Sequence, residues 1–241
     1  MQVYKEIPVI TNQARVRPAE LVGIVSVTEE WTVARHKARA EEVIDADAPE
    51  HFVLDAGTGM YLNAILLNIP LAPKVSQELR RRAQETVEDE LNPRRAARAR
   101  ELELAGAEGR GSIWDGDLRY DTAIVYLRPD RAAIDAAIDE RSRKIALDGL
   151  QEAAEIKALA AVNPSVTDSV GVRELTEHLS GTLSLQQAEE LIATRTRRLA
   201  RRQMRWFDKL ARTLDGRARI TLVRNPDHHK LVHSMHGILR I

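Results

Sequence analysis

The sequence predicts an α/β fold: a parallel sheet flanked by helices, with a largely helical C-terminal half. Three observations predict it. Short β-branched runs alternate with helical patterns through residues 1–150, a Gly-Thr-Gly turn links one such run to a helix, and from residue 151 onward helical periodicity takes over. At 241 residues, 44% hydrophobic and 30% charged, the chain is long enough for one sizeable core or for a core with a small appendage. The expected division is an α/β core over 1–150, completed by a mainly helical part over 151–241.

Leu21 to Val27 is a β-branched run, and Val33 to Ile44 sets charges around Ala and Val at helical spacing, which predicts a strand followed by a helix. Phe52-Val53-Leu54 predicts a second strand, leading through Ala56-Gly57-Thr58-Gly59 into a helix begun by Met60, Leu62, Ile65 and Leu66. Residues 74–105 are helix-prone and charged. They are broken at Asn92-Pro93, because proline lacks the amide proton and disfavours helical geometry just before it. Gly and Asp mark 106–121 as a loop. Thr122 to Leu127 predicts a strand, Pro129 stands near a helix start, and Ala132 to Leu147 predicts that helix. The longest predicted helix opens with Ser184 and Gln187, whose side chains can each satisfy a free backbone donor, and runs to about residue 212. Arg219 to Val223 predicts a late strand and Asp227 to Leu239 a closing helix.

Composition removes several classes of function. Cysteine is absent, which excludes disulfides, thiolate nucleophiles and Cys-bound zinc together. No stretch approaches the roughly 18 uninterrupted apolar residues that span a bilayer, and no basic segment followed by an apolar one opens the chain. No membrane partner is therefore expected, and the cytoplasm is the expected location. Aromatics are 4%, so the core falls to Ala, Leu, Ile and Val. The 36 basic residues balance 36 acidic ones, so any polyanionic partner must be read from local clusters.

Four clusters stand out. At Gly57-Thr58-Gly59, backbone amides, a helix N-terminus and a hydroxyl could face an anion, although a tight turn that needs glycine for its angles has the same sequence. In the run Arg94 to Arg100, which also holds Arg95 and Arg98, Arg94 and Arg95 are helix neighbours of Arg98 at spacings of four and three. They suit phosphates, or equally a solvated face paired to Glu101, Glu103 and Glu88-Asp89-Glu90. Arg195, Arg197, Arg198, Arg201, Arg202, Arg205 and Lys209 crowd one helix around Gln203 and Trp206. Like charges at that spacing cost a few tenths of a kcal/mol per pair unless carboxylates or a polyanion neutralise them. The helix is thus a nucleic-acid or pyrophosphate surface, or else a strut whose arginines pair with acids elsewhere and whose Trp206 and Phe207 anchor the core. His228, His229, His233 and His236 include one pair at metal-sharing spacing, but no nearby Glu completes a zinc pattern, so no metal site is expected there.

Together these segments resemble the tRNA dimethylallyltransferases, also called isopentenyltransferases, along nearly the whole chain. Met1-Gln2-Val3-Tyr4 resembles the end of the family's Asp-Ser-Met-Gln-Val-Tyr, and Ala56 to Tyr61 its Gly-Gly-Thr-Gly-Leu-Tyr. Arg95 and Arg98 match its Gln-Arg-x-x-Arg, and Val170 to Leu175 its Ile-Gly-Tyr-Arg-Glu-Leu. Arg197 to Phe207 is similar to the long signature Arg-Arg-Tyr-Ala-Lys-Arg-Gln-Leu-Thr-Trp-Phe.

The resemblance implies a P-loop-NTPase-like, nucleotide- or pyrophosphate-binding core. The implied reaction is transfer of a prenyl group from dimethylallyl pyrophosphate, with magnesium, to N6 of the adenine 3′ of a tRNA anticodon, the base being flipped out of its stack. It casts Gln2, Thr58, Arg95, Arg98, Arg173, Arg201, Arg202, Gln203 and Trp206 as contacts to the anticodon arm, with Thr58 also supporting the chemistry. Arg141 and Arg198 would hold the pyrophosphate. The family's P-loop and proton-accepting Asp precede its Met-Gln-Val-Tyr, so both, with the first strand, are expected upstream of Met1. Ala56, Val172 and Arg94 stand where the family has glycine, tyrosine and glutamine, and the stretch near 74–105 is short for the insertion that grips the anticodon arm. These departures set an alternative beside the transferase: a catalytically inactive paralogue that binds RNA or serves a structural role, its open sheet covered by another chain.

Overall fold

The computed structural model describes residues 1–14, 18–46, 52–69, 71, 75–86, 93–106 and 112–224. In chain order its elements are α1 (Pro8–Thr11), α2 (Val33–Ala46), α3 (Gly59–Leu66), α4 (Gln77–Glu85), α5 (Pro93–Leu104), β1 (Ala123–Leu127), α6 (Arg131–Asp148), α7 (Leu150–Ala158), α8 (Pro164–Thr167), α9 (Val172–Leu179), α10 (Leu185–Thr213) and β2 (Arg219–Val223). They form two packed units, Met1–Leu62 with Asp121–Ile241, and Asn63–Tyr120. Residue 150, where the sequence suggested a change of character, lies within the first unit, at the α6–α7 elbow. Among the described residues no helix is long and apolar enough to cross a membrane.

In the first unit, β1 and β2 pair in parallel, Ala123 opposite Arg219 and Leu127 opposite Val223. Two strands alone are marginally stable, and α10 supplies their support. The Tyr126 and Phe207 rings lie 6.0 Å apart. The Tyr126 hydroxyl donates to Asp208 at 3.0 Å, and Arg128 Nε donates to the same carboxylate at 2.9 Å. Burial, and then the hydrogen bond to Asp208, push the Tyr126 phenol up to about 12, while the Arg128 guanidinium holds the Asp208 carboxyl below its ordinary range.

Two expected strands are not strands. Leu21–Val27 contributes a single parallel bridge, Tyr4 to Val25, and its backbone turns through left-handed angles at Leu21 and Gly23, both with φ 61°. Its β-branched residues serve burial instead: Val25 and Val27 enter the core without a ladder. Phe52–Leu54 belongs to no helix or strand, and Val53 is 55% exposed. Among the described residues the sheet therefore holds β1 and β2 alone.

The core gathers Tyr4, Ile7 and Ile10 from the N-terminal segment with Val27, Ile145, Leu175 and Ile192. Proline at its first position suits α1. The Glu152 carboxylate accepts the N–H groups of Val9 (2.7 Å) and Ile10 (2.9 Å), and Arg141 Nη2 donates to the Ile10 carbonyl at 3.0 Å, so each end of the short helix meets the sign its dipole prefers. At the start of α9, Gly171 has φ 98°, and a Cβ there would stand 2.7 Å from Ile10 Cγ2, so both backbone angle and packing require glycine. The Ser184–Gln187 pair is a reciprocal cap: Gln187 N donates to Ser184 Oγ at 3.1 Å, and Ser184 N to Gln187 Oε1 at 2.8 Å. Ala188 and Ile192, one turn apart, then bury the start of α10, which packs on α6 and α9.

In the second unit α4 packs on α5, Ser76 Oγ accepts the Leu79 N–H at 3.3 Å, and buried Asn63 donates to the Ile113 carbonyl at 3.1 Å. The 106–121 stretch carries no helix or strand among its described residues, apart from the Leu67–Leu118 bridge. The expected helix at Asp227–Leu239, the four histidines and the acids at 88–90 lie outside the described residues.

Candidate nucleic-acid interface

The Gly57-Thr58-Gly59 turn rests on α10. Gln203 Nε2 donates to the Gly57 carbonyl at 2.6 Å. Gly59 lies beneath the Trp206 indole, so closely that a Cβ there would stand 2.0 Å from Cδ1 and 2.2 Å from Nε1. Glycine at 59 is thus imposed by the tryptophan. The Thr58 carbonyl accepts the Leu62 N–H at 3.1 Å, which makes threonine the residue that opens α3, its side chain exposed. Behind the turn, the Tyr61 ring meets His36 edge-on with centroids 4.9 Å apart, and Trp31 Nε1 donates to His36 Nδ1 at 3.2 Å. Burial pulls the His36 imidazole below its ordinary pKa. Nothing in the sequence marks this supporting pair, since isolated Trp and His residues carry no spacing signal.

Beside that turn, α10 presents a stripe of charge. At about 100° per residue, positions 198, 201, 202 and 205 fall within an arc of about 100°. All four are exposed, and none makes a side-chain hydrogen bond or ion pair with a described residue. Gln203 and Trp206 flank the stripe on one side, toward the turn; Met204 and Asp208 flank it on the other, where the Tyr126 hydroxyl reaches the Met204 carbonyl at 3.3 Å. Four guanidinium groups with neither carboxylate nor burial to compensate them form a surface that favours a polyanion.

The remaining expected site residues are distributed as follows. Arg195 pairs with Glu174, 2% exposed, and donates to the Asp168 carbonyl at 2.6 Å; Arg197 pairs with Asp139 and reaches Asp135 at 3.5 Å. Arg173 is exposed and bound to Glu177 (3.1 Å) and Asp168 (3.6 Å), surface pairs weak enough to exchange for a phosphate. Gln2 Nε2 donates to the carbonyls of Thr11 (3.0 Å) and Asn12 (2.8 Å). Arg141, on α6, is half-buried against α1, and burial lowers its pKa. Arg95 and Arg98 lie on α5 in the second unit, where Arg98 bonds buried Glu101 at 2.7 Å and Arg100 bonds Glu103 at 2.5 Å. Among the described residues no three His, Asp or Glu side chains converge as a metal site.

A small parallel sheet braced by helices, with a Gly-rich turn clamped beside an exposed arginine stripe, defines an α/β protein with a surface suited to a polyanion. Residues 2–210 match the family model described as IPP transferase. A tRNA dimethylallyltransferase of Rubrobacter xylanophilus is 58% identical over 246 residues, spanning 99% of this chain and 84% of that one. One of Rickettsia bellii is 30% identical over 244 residues, 86% of this chain and 77% of that one. The crystal structure of the full-length tRNA isopentenylpyrophosphate transferase of Bacillus halodurans shares the fold, with a TM-score of 0.70 at 21% identity over 98% of this chain and 83% of that one. The chain belongs to the IPP transferase family.

Proposed function

We propose that this chain transfers the dimethylallyl group of dimethylallyl pyrophosphate to N6 of the adenine 3′ of a tRNA anticodon, laying the anticodon arm along the arginine stripe of α10. The observation that carries the reading is the exposed set Arg198, Arg201, Arg202 and Arg205, without a partner among the described residues, next to the clamped Gly57-Thr58-Gly59 turn. Family membership supplies the reaction class.

Prenyl transfer needs three things: donors for the departing pyrophosphate, a base for the amine proton and a surface that holds the RNA in register. In this reading Arg201 and Arg202, with Arg173, Arg95 and Arg98, meet tRNA phosphates, Gln2 belongs to the RNA side of the site, Gln203 and Trp206 border it through the turn they hold, and Thr58 supports the reacting base. Arg198 and Arg141 attract the pyrophosphate. Another segment or chain covers the open sheet, a role supported by Leu127 and Leu222, each 46% exposed.

The test is incubation of the protein with an unmodified tRNA bearing adenine 3′ of its anticodon, dimethylallyl pyrophosphate and magnesium, followed by mass analysis of the nucleosides. A gain of one isoprenyl unit on that adenine is expected. Unmodified RNA at enzyme excess sinks the transferase reading; salt-sensitive binding without transfer then favours an RNA-binding paralogue.

A further inference from the structure

We infer that Gln203 and Trp206 are positioning residues for the Gly57-Thr58-Gly59 turn, fixing Thr58 in register with the arginine stripe rather than reading the RNA themselves. What the turn is for rests on the transferase reading; how it is held rests on geometry alone.

Thr58 stands between two glycines, and α10 holds both. The Gly57 carbonyl lies outside any helix or strand and takes its hydrogen bond from the Gln203 carboxamide at 2.6 Å. Gly59 is buried against the indole, with the Cδ1, Nε1 and Cγ atoms of Trp206 occupying the place of a Cβ. Gln203 and Trp206 are three residues apart, one above the other on the same flank of the helix. On the far side of the turn the Thr58 carbonyl accepts the Leu62 N–H, which commits the chain to α3. The threonine side chain, exposed, is therefore presented by a backbone fixed at entry and exit.

The clamp and the stripe alternate along one helix: Arg202, Gln203, Arg205, Trp206. Any movement of α10 carries both together, so the separation between Thr58 and the phosphate-binding arginines is set within a single element. Reactions that depend on placement lose about 100-fold for a displacement of about 1 Å. A clamp that acts through the turn should thus appear in turnover and leave affinity unaltered.

The experiment compares Gln203→Met, similar in length but without N–H donors, with Gln203→Lys, which restores a donor on a different stem, and Trp206→Ala with Trp206→Phe. Three quantities are read in the full chain: amide exchange at Leu62, whose N–H bonds the Thr58 carbonyl; tRNA affinity; and kcat against KM in prenyl transfer. Gln203→Met and Trp206→Ala are expected to speed Leu62 exchange about 10-fold and to lower kcat roughly 10- to 100-fold, leaving tRNA KM within about two-fold. Gln203→Lys and Trp206→Phe should recover most of the exchange protection. Gly59→Ala, which drives a methyl into the indole, should reproduce the loss from the other partner. If Gln203→Met instead weakens tRNA binding with Leu62 exchange unchanged, the side chain reads RNA and the inference is overturned. If the wild-type chain transfers no prenyl group while Leu62 exchange still responds, the transferase reading fails and the clamp stands.

Discussion

The two halves of α10 carry the same side chains and put them to opposite uses. Arg195 and Arg197 are spent on the fold, one on the nearly buried Glu174 and the other on Asp135 and Asp139, whereas Arg198, Arg201, Arg202 and Arg205 face solvent with no partner among the described residues. What differs is the neighbour. At its start the helix passes α9 and α6, which offer carboxylates; further along it passes the Gly57–Gly59 turn, which offers backbone and a small hydroxyl. A run of positive charge becomes a binding surface only where the elements packed against it decline to neutralise it.

The largest expected effect tests the structural half. Arg195→Ala strands the Glu174 carboxylate in the core with, among the described residues, only the Gly171 N–H bond, 2.8 Å, left to it. It should cost about 3 kcal/mol of stability, read as a lower urea midpoint, with tRNA affinity of the folded fraction preserved. A midpoint equal to wild type would break the comparison at its first term.

Next comes the functional half. Arg202→Glu should weaken tRNA binding roughly 30-fold or more and flatten the dependence of affinity on salt, while stability stays within about 0.5 kcal/mol. Unchanged affinity would remove this stretch of helix from the RNA surface.

Smaller is the joint between β1 and α10. Asp208→Asn should cost about 1 kcal/mol at neutral pH. Because Arg128 holds the Asp208 carboxyl below 3.8, the contribution is present above that value and is lost as pH falls through the folded pKa, so the wild-type and variant curves should converge in acid. Tyr126 runs the other way: its phenol is raised from 10.0 to about 12, so its share is complete below pH 10 and is lost as pH climbs toward 12. Curves that stay parallel would place the stabilisation elsewhere. Least affected is Arg197→Ala, expected to cost between about 0.2 and 1 kcal/mol because both of its acids are partly exposed. A larger loss would move Arg197 into the same class as Arg195.

What the sequence disclosed follows the range of the forces involved. Ser184 with Gln187, Pro93 opening α5 and the alternation at Arg219–Val223 are local signals, and the structure places those boundaries where the residues put them. Leu21–Val27 misled because β-branched residues report a half-buried surface rather than a hydrogen-bonded ladder, and the left-handed angles at Leu21 and Gly23 were invisible. The basic helix was legible as a cluster but not as two halves, since Glu174 and Asp139 are far from it in sequence. The turn's attachment was equally hidden: Gly57 and Gln203 are separated by 146 positions. Nothing in the spacing of either segment announces the other.

The 29 residues of α10 run without interruption from Ala188 and Ile192 in the core to the exposed stripe. Such a rod, about 43 Å long, makes occupancy of the stripe and integrity of the core thermodynamically linked. Any polyanion that engages the arginines of the native helix and not those of the unfolded chain must raise the melting temperature, by an amount that grows with the logarithm of its concentration over its dissociation constant. RNA ligands can therefore be ranked by melting alone, before a single prenyl group is transferred.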